Sequence, residues 1–344
     1  MKNIISMLPE ERRLVFERTE SLLNLPARSI EKDFWTCLVL RQIFELPKFG
    51  SHFTFKGGTS LSKAWQLIER FSEDADLVID KELLGFSGKA SPESAPSKTQ
   101  RRAKLEELKL ECARFIQQDL LPALTLSLKE TLPNNEHWNL FLDVLDKDGQ
   151  TLLFDYPRCL PKEMASYLTH TVKIEMGARS EDWPSQEVKI KPYIAESLPH
   201  LLSDPDCRVK VLAAERTFWE KATLLHEETF RPVDKPRKNR MARHYYDLWC
   251  LIRAGIAARA IKEQELFERV VEHRSLFFNW SWVDYSTMCR GSLRLIPLDS
   301  QLAEWRSDYE AMKSEMFFGK VPSFDEILET IGQFEKEFNL IGIS

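Results

Sequence analysis

The stretch 53–80, FTFKGGTSLSKAWQLIERFSEDADLVID, constrains this chain more than any other. Phe53-Thr54-Phe55-Lys56 alternates like a short strand, and Gly57-Gly58 then breaks it. Thr59 or Ser60 is placed to cap a following helix, whose apolar residues Leu61, Ala64, Trp65 and Ile68 fall at helical spacing. Asp74-Ala75-Asp76-Leu77-Val78-Ile79 then reads as a second strand. The stretch predicts a strand–turn–helix–strand unit, and with it an α/β core.

That unit has the parts of a phosphate site. Two glycines let backbone approach a ligand closely. N–H groups at the helix start, with the hydroxyls of Thr59 and Ser60, suit an anion. Asp74 and Asp76 lie two apart on a strand, so both side chains point to one face. Paired carboxylates repel unless a cation joins them. A hard divalent ion such as Mg²⁺ prefers carboxylate oxygens together with substrate phosphate. Either half alone reads better as a glycine turn or as a solvent-facing strand with two surface aspartates. Together, in this order, they describe a nucleoside-triphosphate (NTP) site for phosphoryl or nucleotidyl transfer.

Composition narrows the setting. The 344 residues are 43% hydrophobic and 29% charged, a soluble globular balance with room for two domains. No stretch approaches the ~18 apolar residues of a spanning helix. The N-terminus has no apolar h-region before Pro9-Glu10-Glu11-Arg12-Arg13, so no signal peptide is expected. Lysine plus arginine number 48 against 53 acidic residues, a net charge of −5, which excludes a globally basic nucleic-acid coat but not a local patch. The six cysteines form no CxxC pair or zinc spacing and read as reduced thiols of a cytoplasmic protein.

Ser29 is placed to cap a helix from Ile30 through Phe44. Gly85 to Thr99, rich in Gly, Ser and Pro, reads as one long mobile loop, with a helix from about Lys104. Leu152–Tyr156 and Thr171–Met176 alternate like strands. From Arg208 onward the chain reads as helix after helix. The expected division is therefore 1–208 and a helical 209–344. Trp280, Trp282 and Trp305 are expected in its core rather than as base-stacking platforms, and Ile327, Ile331 and Phe334 on a closing helix.

The string Phe55-Lys56-Gly57-Gly58-Thr59-Ser60-Leu61-Ser62-Lys63, with Arg70-Phe71-Ser72-Glu73-Asp74-Ala75-Asp76-Leu77, resembles the AbiE-type (AbiEii/AbiGii) abortive-infection toxins. These belong to the DNA-polymerase-beta-like nucleotidyltransferase superfamily. Ile30-Glu31-Lys32-Asp33-Phe34-Trp35 is similar to the same family. So are Thr171–Arg179, Glu215–Ala222 and Arg243–Leu251. The resemblance implies a polymerase-beta-like nucleotidyltransferase core followed by a C-terminal helical domain, with the active site in the cleft between them. It implies that Asp74 and Asp76 bind two Mg²⁺ ions (Mn²⁺ being an alternative) and that Glu175 completes the metal site and helps deprotonate the acceptor. It places Lys221, with Arg70, on the triphosphate beside Gly57, Gly58, Thr59 and Ser60. Asp247 would hold Lys221 or act as a base; a plain helix–helix salt bridge explains the pair equally well.

The expected reaction moves NMP from an NTP to a hydroxyl, with a tRNA 3′ end as acceptor and a separately encoded antitoxin as partner. Three alternatives stay open: a small-molecule acceptor, a protein acceptor, and a non-catalytic RNA- or partner-binding module. Residues 231–243 hold six lysines and arginines, read either as a solvated charge run or as an RNA contact.

Overall fold

The computed structural model describes residues 1–72, 74–161, 170–319 and 321–341. Glu73, part of the resemblance, lies outside them. The chain divides into two compact units, Met1–Ala64 with Ser72–Leu212, and Trp65–Phe71 with Ala213–Ser344.

The first unit is built on seven strands: β1 (Phe53–Lys56), β2 (Ala75–Ile79), β3 (Asn139–Leu142), β4 (Thr151–Asp155), β5 (Thr171–Gly177), β6 (Ser185–Ile190) and β7 (Cys207–Leu212). They form one mixed sheet in the order β3-β4-β5-β2-β1-β7-β6. β2 lies between β1, to which it is antiparallel, and β5, to which it is parallel. The alternation read in 171–176 is real: Val172, Ile174 and Met176 are buried and Lys173 and Glu175 half-exposed. The helical reading from Arg208 onward is corrected at its start. Cys207–Leu212 is a strand whose Cys207, Val209 and Val211 turn inward, and helices begin at Ala214.

Helices α1 (Lys2–Ile5), α2 (Pro9–Leu23), α3 (Ala27–Phe44), α4 (Gly57–Lys63), α5 (Lys98–Phe115), α6 (Leu121–Thr131) and α7 (Tyr193–Ser197) complete this unit. α3 packs on β5 and β7 and against α2, α6 and α7. It is buried nearly all round, as a helix surrounded by other elements must be. It starts three residues before the expected Ile30: Pro26 precedes its first turn, and Ser29 is buried inside it. The 85–99 stretch is also corrected. Short 3₁₀ turns at Gly88–Ala90 and Pro92–Ser94 lead into α5. Glu93 pairs with Lys81 and with the Ser91 hydroxyl, which ties the stretch down.

A buried ion pair joins α3 to α4. Lys63 Nζ lies 2.7 Å from Asp33 Oδ1 and 3.7 Å above the Tyr193 ring, and the Tyr193 N–H donates to Asp33 Oδ2 at 2.7 Å. Burial pushes the Asp33 carboxyl up, although Lys63 opposes it.

The second unit is formed by α8 (Ala214–Thr229), α9 (Arg243–Arg253), α10 (Ile256–Ala260), α11 (Gln264–Phe277), α12 (Asp299–Met316) and α13 (Phe324–Leu340). Aromatic side chains fill it: Phe218, Trp219, Phe267, Phe334 and Phe338 in one cluster, Tyr245, Trp305, Tyr309 and Phe324 in another. Ile327, Ile331 and Phe334 are buried as expected, and so is Trp305. Trp280 is not: it is 43% exposed.

Lys63→Met should lower unfolding free energy in urea by about 3–5 kcal/mol, because it leaves a buried carboxyl without its cation. Replacing both partners, Asp33→Leu with Lys63→Met, should recover most of that loss. A single-variant loss below about 1 kcal/mol would mark the pair as solvent-screened.

Candidate functional site

Two clusters gather the predicted residues. The first is centred on the turn from β1 into α4. Gly57 has φ +80°, a left-handed conformation that glycine adopts without strain. A Cβ built on it would lie 2.0 Å from Asp76 Oδ2 and 2.8 Å from Asp76 Cγ. The Asp76 carboxylate thus occupies the space a side chain at 57 would need, and only glycine fits.

α4 enters directly from this turn. Lys56, not Thr59 or Ser60, is its N-cap residue, and it ends at Lys63, well short of the expected Ile68. Gln66 is left-handed (φ +52°), and Trp65–Phe71 groups with the second unit. The Thr59 hydroxyl donates to the Asp74 carbonyl at 2.5 Å and lies 3.0 Å from Ser72 Oγ. The Ser60 hydroxyl donates to the Gly57 carbonyl at 2.9 Å. Both residues are buried, so their hydroxyls brace the turn and the start of β2.

Across the sheet, Asp76 is the register partner of Glu175 on one side and of Lys56 on the other. Register partners share a face of a sheet, so the row Glu175–Asp76–Lys56 lies side by side. Asp74 immediately precedes β2. Glu175 is ion-paired with Lys173. Lys173 is held above its ordinary pKa: burial opposes this, but the Glu175 carboxylate and the charges of Asp74 and Asp143 outweigh it. The Lys56 ammonium donates to Ser180 Oγ at 2.7 Å. Sequence reasoning passed over Lys56 as a site residue. The signal was its place at the end of an alternating strand, directly before the glycines. Among the described residues, no three His, Cys, Asp or Glu side chains already converge as a metal-ligand group.

The second cluster lies within the helical unit. Arg70 grips Asp247 with two bonds, Nε at 2.6 Å and Nη2 at 2.8 Å, and Lys221 Nζ lies 2.7 Å from Asp247 Oδ2. All three are buried. The Lys221–Asp247 contact is an ion pair between α8 and α9. Burial alone would raise the Asp247 pKa; Arg70 and Lys221 reverse that and hold it well below the usual carboxylate range. Such a carboxylate is a weak proton acceptor, so the geometry favours holding over base catalysis. Lys221 is lowered by burial and by the Arg70 charge, against the pull of Asp247. The segment around Arg70 is further fixed by Phe71 N–H to Met316 O at 2.6 Å and Phe318 N–H to Glu69 O at 3.1 Å.

Much of the basic run 231–243 is neutralised locally. Arg231 is bidentate to Glu228, with both bonds 2.6 Å, and Arg237 bridges Glu228 and Glu304. The Arg240 and Ala242 N–H groups bond to Asp308 at 2.5 and 2.7 Å. Lys235 and Lys238 are exposed. A cavity of about 480 Å³ is lined by Arg237, Lys238, Arg240 and Asp308 among others.

The family model described as "Nucleotidyl transferase AbiEii toxin, Type IV TA system" matches residues 38–330. The chain belongs to the AbiEii nucleotidyltransferase toxin family. The match spans both clusters. No curated protein sequence matches. Among solved structures, JHP933 from Helicobacter pylori is similar at 14% identity and TM-score 0.40, covering 90% of each chain. The MenT4 nucleotidyltransferase toxin from Mycobacterium tuberculosis is similar at 14% identity and TM-score 0.35, covering 94% of this chain and 98% of that one. Both likenesses are loose. The AbiEii chain described here is thus a nucleotidyltransferase toxin of a toxin–antitoxin system, and no helix among its described residues is long and apolar enough to cross a membrane.

Asp247→Asn should cost about 3–5 kcal/mol of stability at pH 7, since two buried cations lose their carboxylate. Because the folded pKa is depressed, this contribution is complete above the unfolded value of about 4 and is lost as pH falls through the lower folded value. Urea titrations of both proteins should show a constant gap from pH 8 to 5 that closes only in stronger acid. A gap that closes near neutrality would contradict the assignment.

Proposed function

We propose that this AbiEii toxin transfers a nucleoside monophosphate from an NTP to a hydroxyl at the 3′ end of RNA, releasing pyrophosphate, with tRNA as the acceptor and a cognate antitoxin as its partner. The observation that carries the reading is the Asp76 carboxylate seated against the Cα of Gly57. A side-chain-free turn beside a carboxylate lets phosphate and a divalent cation meet at one point.

The donor set suits such an ion. Asp74, Asp76 and Glu175 offer only hard carboxylate oxygens, and the Asp76 carboxylate lies against the side-chain-free Gly57. Asp74 and Asp76 would hold Mg²⁺, with Mn²⁺ as a substitute, and Glu175 would join them on leaving Lys173. When bound, the ions supply charge neutralisation at the transferring phosphoryl group and at the attacking oxygen. The chain's own part is positional. Thr59 fixes the Asp74 carbonyl, Ser60 fixes the Gly57 carbonyl, and the Gly57-Gly58 backbone receives triphosphate oxygens. Lys56 and Lys173 bring positive charge to a site where negative charge accumulates. Glu175 would take the acceptor proton.

The test is label transfer. Each α-³²P-NTP is incubated with Mg²⁺, total RNA and protein, and the labelled species is located. Label should appear at RNA 3′ ends, and Asp76→Asn should lower the rate on the order of 10²–10³-fold with an unchanged circular dichroism spectrum. Near-normal transfer by Asp76→Asn would contradict the site. Label on protein or on a small molecule would contradict the acceptor.

A further inference from the structure

We infer that Trp280 and Trp282 form a stacking platform for unpaired bases of single-stranded RNA. This rests on RNA being the acceptor and adds a place where it is held. The two indoles stack with centroids 4.6 Å apart and planes 25° apart, and Trp280 remains 43% exposed.

This exposure is held in place. Asn279 is left-handed (φ +40°), and the main-chain N–H of Trp280 donates to the Tyr285 hydroxyl at 3.1 Å. That hydroxyl donates to Glu227 Oε1 at 3.1 Å, and Glu227 is itself ion-paired with Arg274, whose Nε lies 2.9 Å away. The loop is thereby tied to α8 and α11, and Trp280 is presented rather than folded inward.

Two cations lie on the Trp282 ring. Lys235 Nζ lies 4.2 Å from the Trp282 ring centroid and the Arg231 guanidinium 5.8 Å from it. Residues 231–240 carry five lysines and arginines against one acidic residue, Asp234. Glu228 and Glu304 answer Arg231 and Arg237, while Lys235 and Lys238 stand exposed. Aromatic faces beside exposed ammonium groups bind single strands with little sequence preference, because every base has a π face and every nucleotide a phosphate. Duplex RNA offers its bases only in stacks and would not use the platform.

The test uses the full chain and a fluorescein-labelled ten-nucleotide RNA, single-stranded or as a duplex, read by anisotropy and by tryptophan quenching. The single strand should bind more tightly and quench emission. Trp280→Ala should weaken it by roughly 5- to 150-fold, the equivalent of 1–3 kcal/mol for one stacked base. Trp280→Phe should restore most binding and Trp280→Leu should not. Lys235→Met should reduce the salt slope by about 0.7, one phosphate contact on a single strand. Wild-type affinity in Trp280→Ala would overturn the platform, and so would rescue by Leu equal to that by Phe, which marks an apolar protein-docking face instead. If RNA becomes labelled while Trp280→Ala binds it normally, the platform fails and the acceptor assignment stands. If Trp280→Ala loses RNA binding while no RNA is ever labelled, the platform stands and the acceptor assignment fails.

Discussion

Gly57 has no side chain, and the Asp76 carboxylate lies where one would be. The rest of the first unit is arranged around that contact. It requires β1 to be followed at once by a left-handed residue, which opens α4. It requires β2 to return antiparallel beside β1, so that Asp76 faces Lys56. The sheet order then puts β5 on the other flank, with Glu175 at the same level as Asp76. An acidic pair and a side-chain-free backbone thus come together through strand register alone.

Keeping that acidic row in a folded protein requires charge management. Lys173 pairs with Glu175 and feels the charge of Asp74, and Lys56 stands at the other end. The Lys173 ammonium relieves carboxylate repulsion along this row. Deeper in the protein, ions do a different job. Asp33–Lys63 ties α4 to α3, and Asp247 holds Arg70 and Lys221 within the helical unit. Pairs of this kind add little net stability but make loss of one partner costly, which gives each element one acceptable position.

Much of this was legible in the sequence, where local pattern and local structure agree. The strand of 171–177 showed in its period of two, the helical bundle in its spacing, and the glycine turn in its dipeptide. The Arg70–Asp247–Lys221 cluster was read as residues of one site on family resemblance; periodicity could not have joined positions 177 residues apart. What failed did so for physical reasons. α4 stops at Lys63 because Gln66 turns left-handed and the next residues pack with the helical unit, a tertiary demand that overrides helical spacing. The strand 207–212 was hidden by the helices after it, although Cys207-Arg208-Val209-Lys210-Val211 alternates plainly. Gly85–Thr99 has loop composition yet is tied by Glu93. Trp280 was assigned to the core because tryptophan usually goes there; nothing local revealed that Tyr285 holds its loop outward.

The contact between Gly57 and Asp76 can be measured by a double-mutant cycle in urea, using Gly57→Ala, Asp76→Gly and both together. If the carboxylate excludes a Cβ at position 57, Gly57→Ala should be far more destabilising with Asp76 present than with glycine there, with a coupling of about 1–3 kcal/mol. In the Asp76→Gly background only the left-handed backbone penalty of about 1–2 kcal/mol should remain. An equal cost for Gly57→Ala in both backgrounds would contradict the account, because it would mean the Asp76 carboxylate does not sit at the turn.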